Sequence, residues 1–237
     1  LLLSFQGRRM RLRVIALCLL CLPLCACDAA SPRLADSAAI TWSGEKRIIL
    51  ATPDIELSEL TAGGVNAPRA DWTGSAIALA TKDITDSLAA RGVSVVKAQT
   101  GADARESQLV KLNSAVGQAI LLHLYYSPIK LPEKGDALDW TLGPGVNVLR
   151  DKYRGDYALF IHIRDSYSST GRQALMGVSA LLLIPVPGGL QSGFASLVDL
   201  RTGRIVWFNR LLSVNGDIRD PDDARDTVGE LLQGLPL

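Results

Sequence analysis

Apolar and polar positions recur with two periods along this 237-residue chain, one of helices and one of strands. Ile48, Ile49 and Leu50 make 46–51 the first predicted strand. Residues 61–71 contain Gly63, Gly64 and Pro68 and read as a loop. From 72 to 91, Ile77, Ala80, Ile84 and Leu88 fall on one helical face. Asp71 or Thr73 offers a cap at its start, and Gly92 stands where such a helix stops. A short β-branched strand is expected at 93–96, then a helix over 104–125 with Leu109, Leu112, Val116 and Ile120 as its buried stripe. Residues 146–153 read as a short helix. The best strand is 157–165, with Tyr157, Leu159, Ile161 and Ile163 on one face and Ala158, Phe160, His162 and Arg164 on the other. Residues 194–200 and 204–211 flank Arg201-Thr202-Gly203 as a hairpin. Asp220 then caps a last helix, with Pro221 in its first position and Asp222 and Asp223 at its positive end. This order predicts an α/β fold: a mixed sheet with helices packed on it, and a C-terminal β-hairpin followed by a helix.

The N-terminal apolar stretch has a different meaning. After Met10, Arg11 and Arg13 precede an uncharged h-region of 11 residues, 14–24. At about 1.5 Å per residue it would span about 16 Å of a bilayer core about 30 Å thick, the length of a cleaved secretory signal. Residues 1–9 then lie upstream of the start. Leu24-Cys25-Ala26-Cys27-Asp28 resembles the lipobox of bacterial lipoprotein precursors, with an apolar residue at −3, a small one at −1, and then the cysteine that receives the lipid. Of the four cysteines, only Cys27 follows a small residue; the resemblance implies lipid attachment there, palmitate included. The alternative, a general secretory signal, needs small residues at −3 and −1, which this stretch matches poorly. The expected organisation is a signal peptide at 1–26, a lipidated Cys27 with a flexible tether to 43, and a single domain at 44–237 carrying an apolar insert, 173–198.

Processing at Cys27 changes both composition and charge. It leaves about 210 residues, the size of one domain, with no cysteine beyond the acylated one. Thiol catalysis, iron–sulfur clusters and cysteine zinc sites are then excluded. Four arginines go with the leader, leaving 21 basic against 24 acidic side chains, a net charge of −3. Such a domain has no general attraction to nucleic acid. Asp28 resembles the inner-membrane retention signal of enteric lipoproteins, so the expected location is the periplasmic side of the cell membrane, leaning to the inner one.

Asp199-Leu200-Arg201-Thr202-Gly203-Arg204-Ile205-Val206-Trp207 resembles a repeat of pyrroloquinoline-quinone-type propellers, but only one copy is present. With the element order around it, the segment also resembles periplasmic α/β envelope domains: the curli secretion lipoprotein, the penicillin-binding-protein activator lipoproteins and the N-terminal domain of the translocation protein TolB. That resemblance implies a scaffold or binding role and carries over no functional residue.

Candidate chemistry is sparse. His123 and His162 lack metal-ligand spacing, and no metal or cofactor is expected. His123 reads as a packed or partly exposed helix residue, and His162 as a strand-surface residue or a base near Asp165. The polar run 165–172 follows the best strand, and His162, Asp165 and Arg172 form the candidate ligand or partner cluster. No charge occurs from 173 to 198. That segment reads as core; exposed, it would be an interaction site or a membrane-inserting hairpin. The expected function is a lipid-anchored, non-catalytic binding or assembly module with an envelope protein partner or with itself. An envelope hydrolase built around Asp165 and an oligomeric export-channel component are the alternatives.

Overall fold

A computed structural model describes residues 32–35, 40–99, 104–126, 130–214 and 216–237. The expected signal peptide, Cys27, Asp28 and Pro128 lie outside the described residues. Eight strands form one mixed sheet: β1 Arg33–Leu34, β2 Arg47–Leu50, β3 Asp54–Leu60, β4 Asn66–Pro68, β5 Ser94–Lys97, β6 Tyr157–Ser168, β7 Gln191–Asp199 and β8 Ile205–Ser213. The long β6 is its axis. Along one side β6 pairs in parallel first with β2 and then with β3, and along the other antiparallel with β7. β8 follows β7, and β1 lies antiparallel on the outer edge of β8.

Helices cover both faces. Because side chains alternate along β6, Tyr157, Leu159, Ile161 and Ile163 enter one apolar layer and Ala158 and Phe160 the other. The first layer is closed by α1 (Ala70–Ala90), through Ala76, Ala80, Ile84 and Leu88, and by α5 (Pro221–Leu231), through Ala224, Val228 and Leu231. The second is closed by α2 (Ala104–Ile120), its π-helical extension Leu121–Tyr126, and α3 (Asn147–Tyr153). The fold is thus the expected mixed sheet with packed helices, with the hairpin β7–β8 leading into α5. Asp220 caps α5 as expected, its side chain accepting from the amides of Asp222 and Asp223. Gly203 turns the hairpin at φ 75°.

Several expectations are corrected. β3 and β4 occupy stretches that the sequence pattern leaves unassigned or marks as loop, and they pair with each other. Neither Asp71 nor Thr73 caps α1: its N-cap is Arg69, with no side-chain cap bond, and Thr73 Oγ1 instead accepts from the Leu57 amide (3.0 Å). The buried stripe of α2 is Glu106, Leu109, Asn113, Gly117 and Ile120, and Leu112 is exposed. The helix faces the sheet through small and polar groups. Asn113 Oδ1 accepts from Ser196 of β7 (2.6 Å), and Gly117 lies directly over the Phe194 ring, where a Cβ would come within 2.0 Å. Segment 173–198 is not core throughout. Its second part is the buried strand β7, whereas its first part belongs to an exposed helix, α4 (Thr170–Leu181).

Two stretches of the expected tether are docked. The Ala35 amide donates to Val206 O (3.1 Å), the Arg33 guanidinium donates to Leu124 O and Asp136 O (3.2 Å each), and Pro32 packs on Gly234. Further on, Trp42 meets Tyr157 edge-on, and Ser43 donates twice to Asp156.

Candidate functional site

His162, Asp165 and Arg172 do not share a hydrogen-bond network. His162 is buried, so its reading as a strand-surface residue is corrected. Its ring stacks on Phe194 at 4.9 Å, and its partner is Asp54, not Asp165. Nδ1–H donates to Asp54 Oδ2 (2.9 Å), and Nε2 accepts from the Gln118 amide (3.1 Å). Ser114 donates to the same carboxylate oxygen (2.6 Å), and Arg164 to the other (2.8 Å). Burial pushes the Asp54 carboxyl up, but the hydrogen bonds from His162 and Ser114 and the Arg164 charge outweigh it and hold the group well below the usual carboxylate range. Ser114 and His162 both point at the carboxylate rather than at each other. The cluster therefore lacks the nucleophile–base contact of a hydrolase triad and instead ties α2, β3 and β6 together.

Asp165 lies on the opposite face of the sheet. Its Oδ2 accepts from Tyr167 Oη (2.5 Å) and from the Gln191 amide (2.8 Å). Burial raises its pKa, and those two bonds offset only part of the effect. Tyr167 in turn accepts from the Ile218 amide, and its ring lies under Arg219, whose guanidinium also stacks on Trp72. Arg172 is buried and donates from Nε and Nη2 to Pro187 O (3.2 and 2.8 Å). It clamps the return loop after α4 to the start of that helix, where Ser169 accepts from the Arg172 amide as N-cap. His123 lies in the π-helical extension, partly buried. Among the described residues, no group of three or more His, Cys, Asp or Glu side chains could hold a metal ion.

The exceptional feature is α4 and the loop behind it. Leu175, Val178, Leu181, Leu182, Leu183 and Ile184 are all exposed, Leu181 to 85% and Leu183 to 91%. The helix ends in a Schellman-type turn, in which the Ile184 amide donates to Ser179 O and the Leu183 amide to Ala180 O. That turn puts its C′ residue in the left-handed region, where glycine belongs; Leu183 occupies it at φ 57°. A bulky side chain is thus held outward at a backbone cost. The exposed Val65, Leu190, Leu212 and Val214 lie near the same end of the sheet. Ten of the fourteen large apolar side chains exposed among the described residues therefore gather at this one end. Clustered exposed apolar side chains of this kind are what contact surfaces are built from. No single charge pattern in the sequence reveals it, although the uncharged run does locate it.

A second depression, of about 950 Å³, lies between α2 and α3 with Leu109, Leu112, Leu142 and Val148 in its wall and Arg105, Asp151 and Lys152 at its rim. Glu106 beneath it is fully buried and paired with Lys152 and Tyr153 Oη. That pairing joins the two helices.

The fold and its surface define an α/β domain with helices on both faces of the sheet and one apolar end. No protein-family model matches the chain, and no curated protein matches it. Among solved structures it is similar to the PelC dodecamer from Paraburkholderia phytofirmans, with 11% sequence identity, 88% of this chain and 98% of that chain covered, and a TM-score of 0.39. It is also similar to the LpoB C-terminal domain from Salmonella enterica, with 15% identity, 76% and 88% covered, and a TM-score of 0.31. Neither likeness carries a role over to this chain. Among the described residues, no helix is long and apolar enough to cross a membrane.

Proposed function

We propose that this chain is a lipid-anchored envelope protein, acylated on Cys27, whose domain is a non-catalytic docking module that acts through α4 and the apolar tip at 181–184. The observation that carries this reading is the gathering of exposed apolar side chains at one end of the sheet, with Leu183 held outward in a left-handed backbone conformation. The candidate polar residues support it from the other side. His162, Asp165 and Arg172 each have partners within the fold, and the first two face opposite layers of it. An acyl anchor raises the local concentration of whatever the tip meets.

Hydrogen exchange over 175–190 tests the docking reading without naming the occupant. The segment is expected to exchange fast in the purified chain beginning at Asp28 and several-fold more slowly in native membranes. Equal exchange in both settings overturns the reading. Mass spectrometry of the mature N-terminus tests the anchor: a diacylglyceryl mass on Cys27 is expected, and an unmodified residue there refutes it.

A further inference from the structure

We propose that the occupant of this surface is the bilayer that carries the anchor, and that the domain stands on it with its apolar end down. The inference rests on the docking reading and adds to it the identity of the partner.

Strand polarity supplies the first argument. β1 is antiparallel to β8, with Leu34 opposite Trp207 and Arg33 opposite Phe208. Pro32, the first described residue before Arg33, therefore lies on the Ser213 side of it. Ser213 pairs with Gln191, the first residue of β7, directly after the loop that carries the tip. Thus β1 begins on the side of β8 that leads to the apolar surface.

Reach supplies the second. Cys27 is five residues from Pro32, so it can extend at most about 18 Å from it. Pro32 precedes Arg33 and stands beside Asn209, and β8 continues from there to Ser213, about 14 Å along the strand. A fully extended chain from Pro32 to an acylated Cys27 therefore reaches the level of that end with about 4 Å to spare. Lifting the domain beyond that slack would require peeling β1 from β8, against the Arg33 bonds and the packing of Pro32 on Gly234. The lipid surface and the tip are held side by side.

Charge supplies the third. No ionisable side chain occurs from 173 to 198. Arg47, Arg150, Arg154, Asp156, Arg201 and Arg204 lie at the opposite end of the sheet, whereas at this end Arg69 is paired with both Glu59 and Asp71. The leucines of the tip enter the boundary between headgroups and acyl chains, the depth at which an apolar helix face settles, while the charged groups stay in water. A helix of 12 residues and its return loop make a shallow contact, not a span.

All described elements begin at or after Arg33, so the chain from Asp28 onward retains every one of them and carries no lipid of its own. The probe is a vesicle of phosphatidylethanolamine and phosphatidylglycerol, about 3:1, with binding read by co-sedimentation and the mass of the chain in solution read by light scattering. The parent chain is expected to bind. Leu181→Glu with Leu183→Glu is expected to lower the partition coefficient at least tenfold. Leu183→Gly, which relieves the left-handed position, is expected to weaken binding several-fold while the melting temperature stays equal or rises, so that lost binding is not lost folding. A parent that ignores vesicles, or variants that bind as it does, overturns the bilayer as occupant. If vesicle binding is absent but the parent is oligomeric and the double variant monomeric, the occupant is a second copy; the inference then fails and the docking reading stands. If the variants change neither binding nor mass, and 175–190 exchanges equally fast with and without membranes, both fail.

Discussion

Two aspartates show how much a carboxylate owes to its surroundings. Asp54 meets three donors, one of them the Arg164 guanidinium, and stays charged. Its folded pKa is depressed, so it contributes stability above the unfolded value of 3.8, and that contribution is lost as the pH falls below 3.8 toward the depressed value. Asp54→Asn is expected to cost about 2–3 kcal/mol at pH 7 and to flatten the acid limb of the stability curve, as measured by urea denaturation from pH 7 down to about 2. Asp165 behaves oppositely. Its pKa is raised by burial, so its contribution is greatest below the usual carboxylate value and is lost as the pH rises through the raised one. Both of its hydrogen bonds reach one oxygen, which an asparagine Oδ1 can replace. Asp165→Asn should therefore be neutral or stabilising by up to about 1 kcal/mol at neutral pH, and its urea midpoint should depend less on pH than the parent's. A marked loss of stability would show that the charge itself is needed. The partners of neither aspartate are legible in the sequence, because Asp54 and His162 are 108 residues apart and only the parallel pairing of β3 with β6 brings them together.

At the level of elements, strong periodicity is legible and mixed faces are not. The apolar faces of β6, the stripe of α1 and the cap of α5 can be read from the sequence, since each is dictated by local chemistry. The buried face of α2 escapes such a reading because contact with the sheet is made by Asn113 and Gly117, which an apolar-stripe rule passes over. Gly117→Ala puts a methyl group into the Phe194 ring and is expected to destabilise by about 1–3 kcal/mol through overpacking, read as a lower urea midpoint with an unchanged slope. An unchanged midpoint would mean that the ring moves aside freely. In β3, Ile55 and Leu57 alternate with Glu56 and Ser58; that two-residue period is the available signal, masked by two glutamates and a following glycine pair. For α4, the apolar count implies burial. The fold has no third layer at that end to cover it.

Across the whole molecule the exposed apolar side chains gather at one end of the sheet, and the docked β1 begins on the side of β8 that leads there. Cys27→Ser in the full chain is expected to move the protein from a tightly held membrane fraction to one released by mild washing. Unchanged retention would mean that the tip alone suffices or that the leader remains attached, which the mass of the N-terminus distinguishes. Leu181→Glu with Leu183→Glu should leave the melting temperature within about 2 °C of the parent's, because exposed side chains contribute little to folding; a larger drop would place the tip in the core. The sequence by itself determined the signal-like leader, the lone cysteine after a small residue, the α/β class and the uncharged run, since each depends on neighbours a few residues apart. The tertiary structure alone decided that the first part of that run is an exposed helix rather than core, that His162 belongs to Asp54, and that β1 begins on the side of β8 that leads to the apolar tip. Those facts depend on which strands pair, and pairing joins residues that the chain holds far apart.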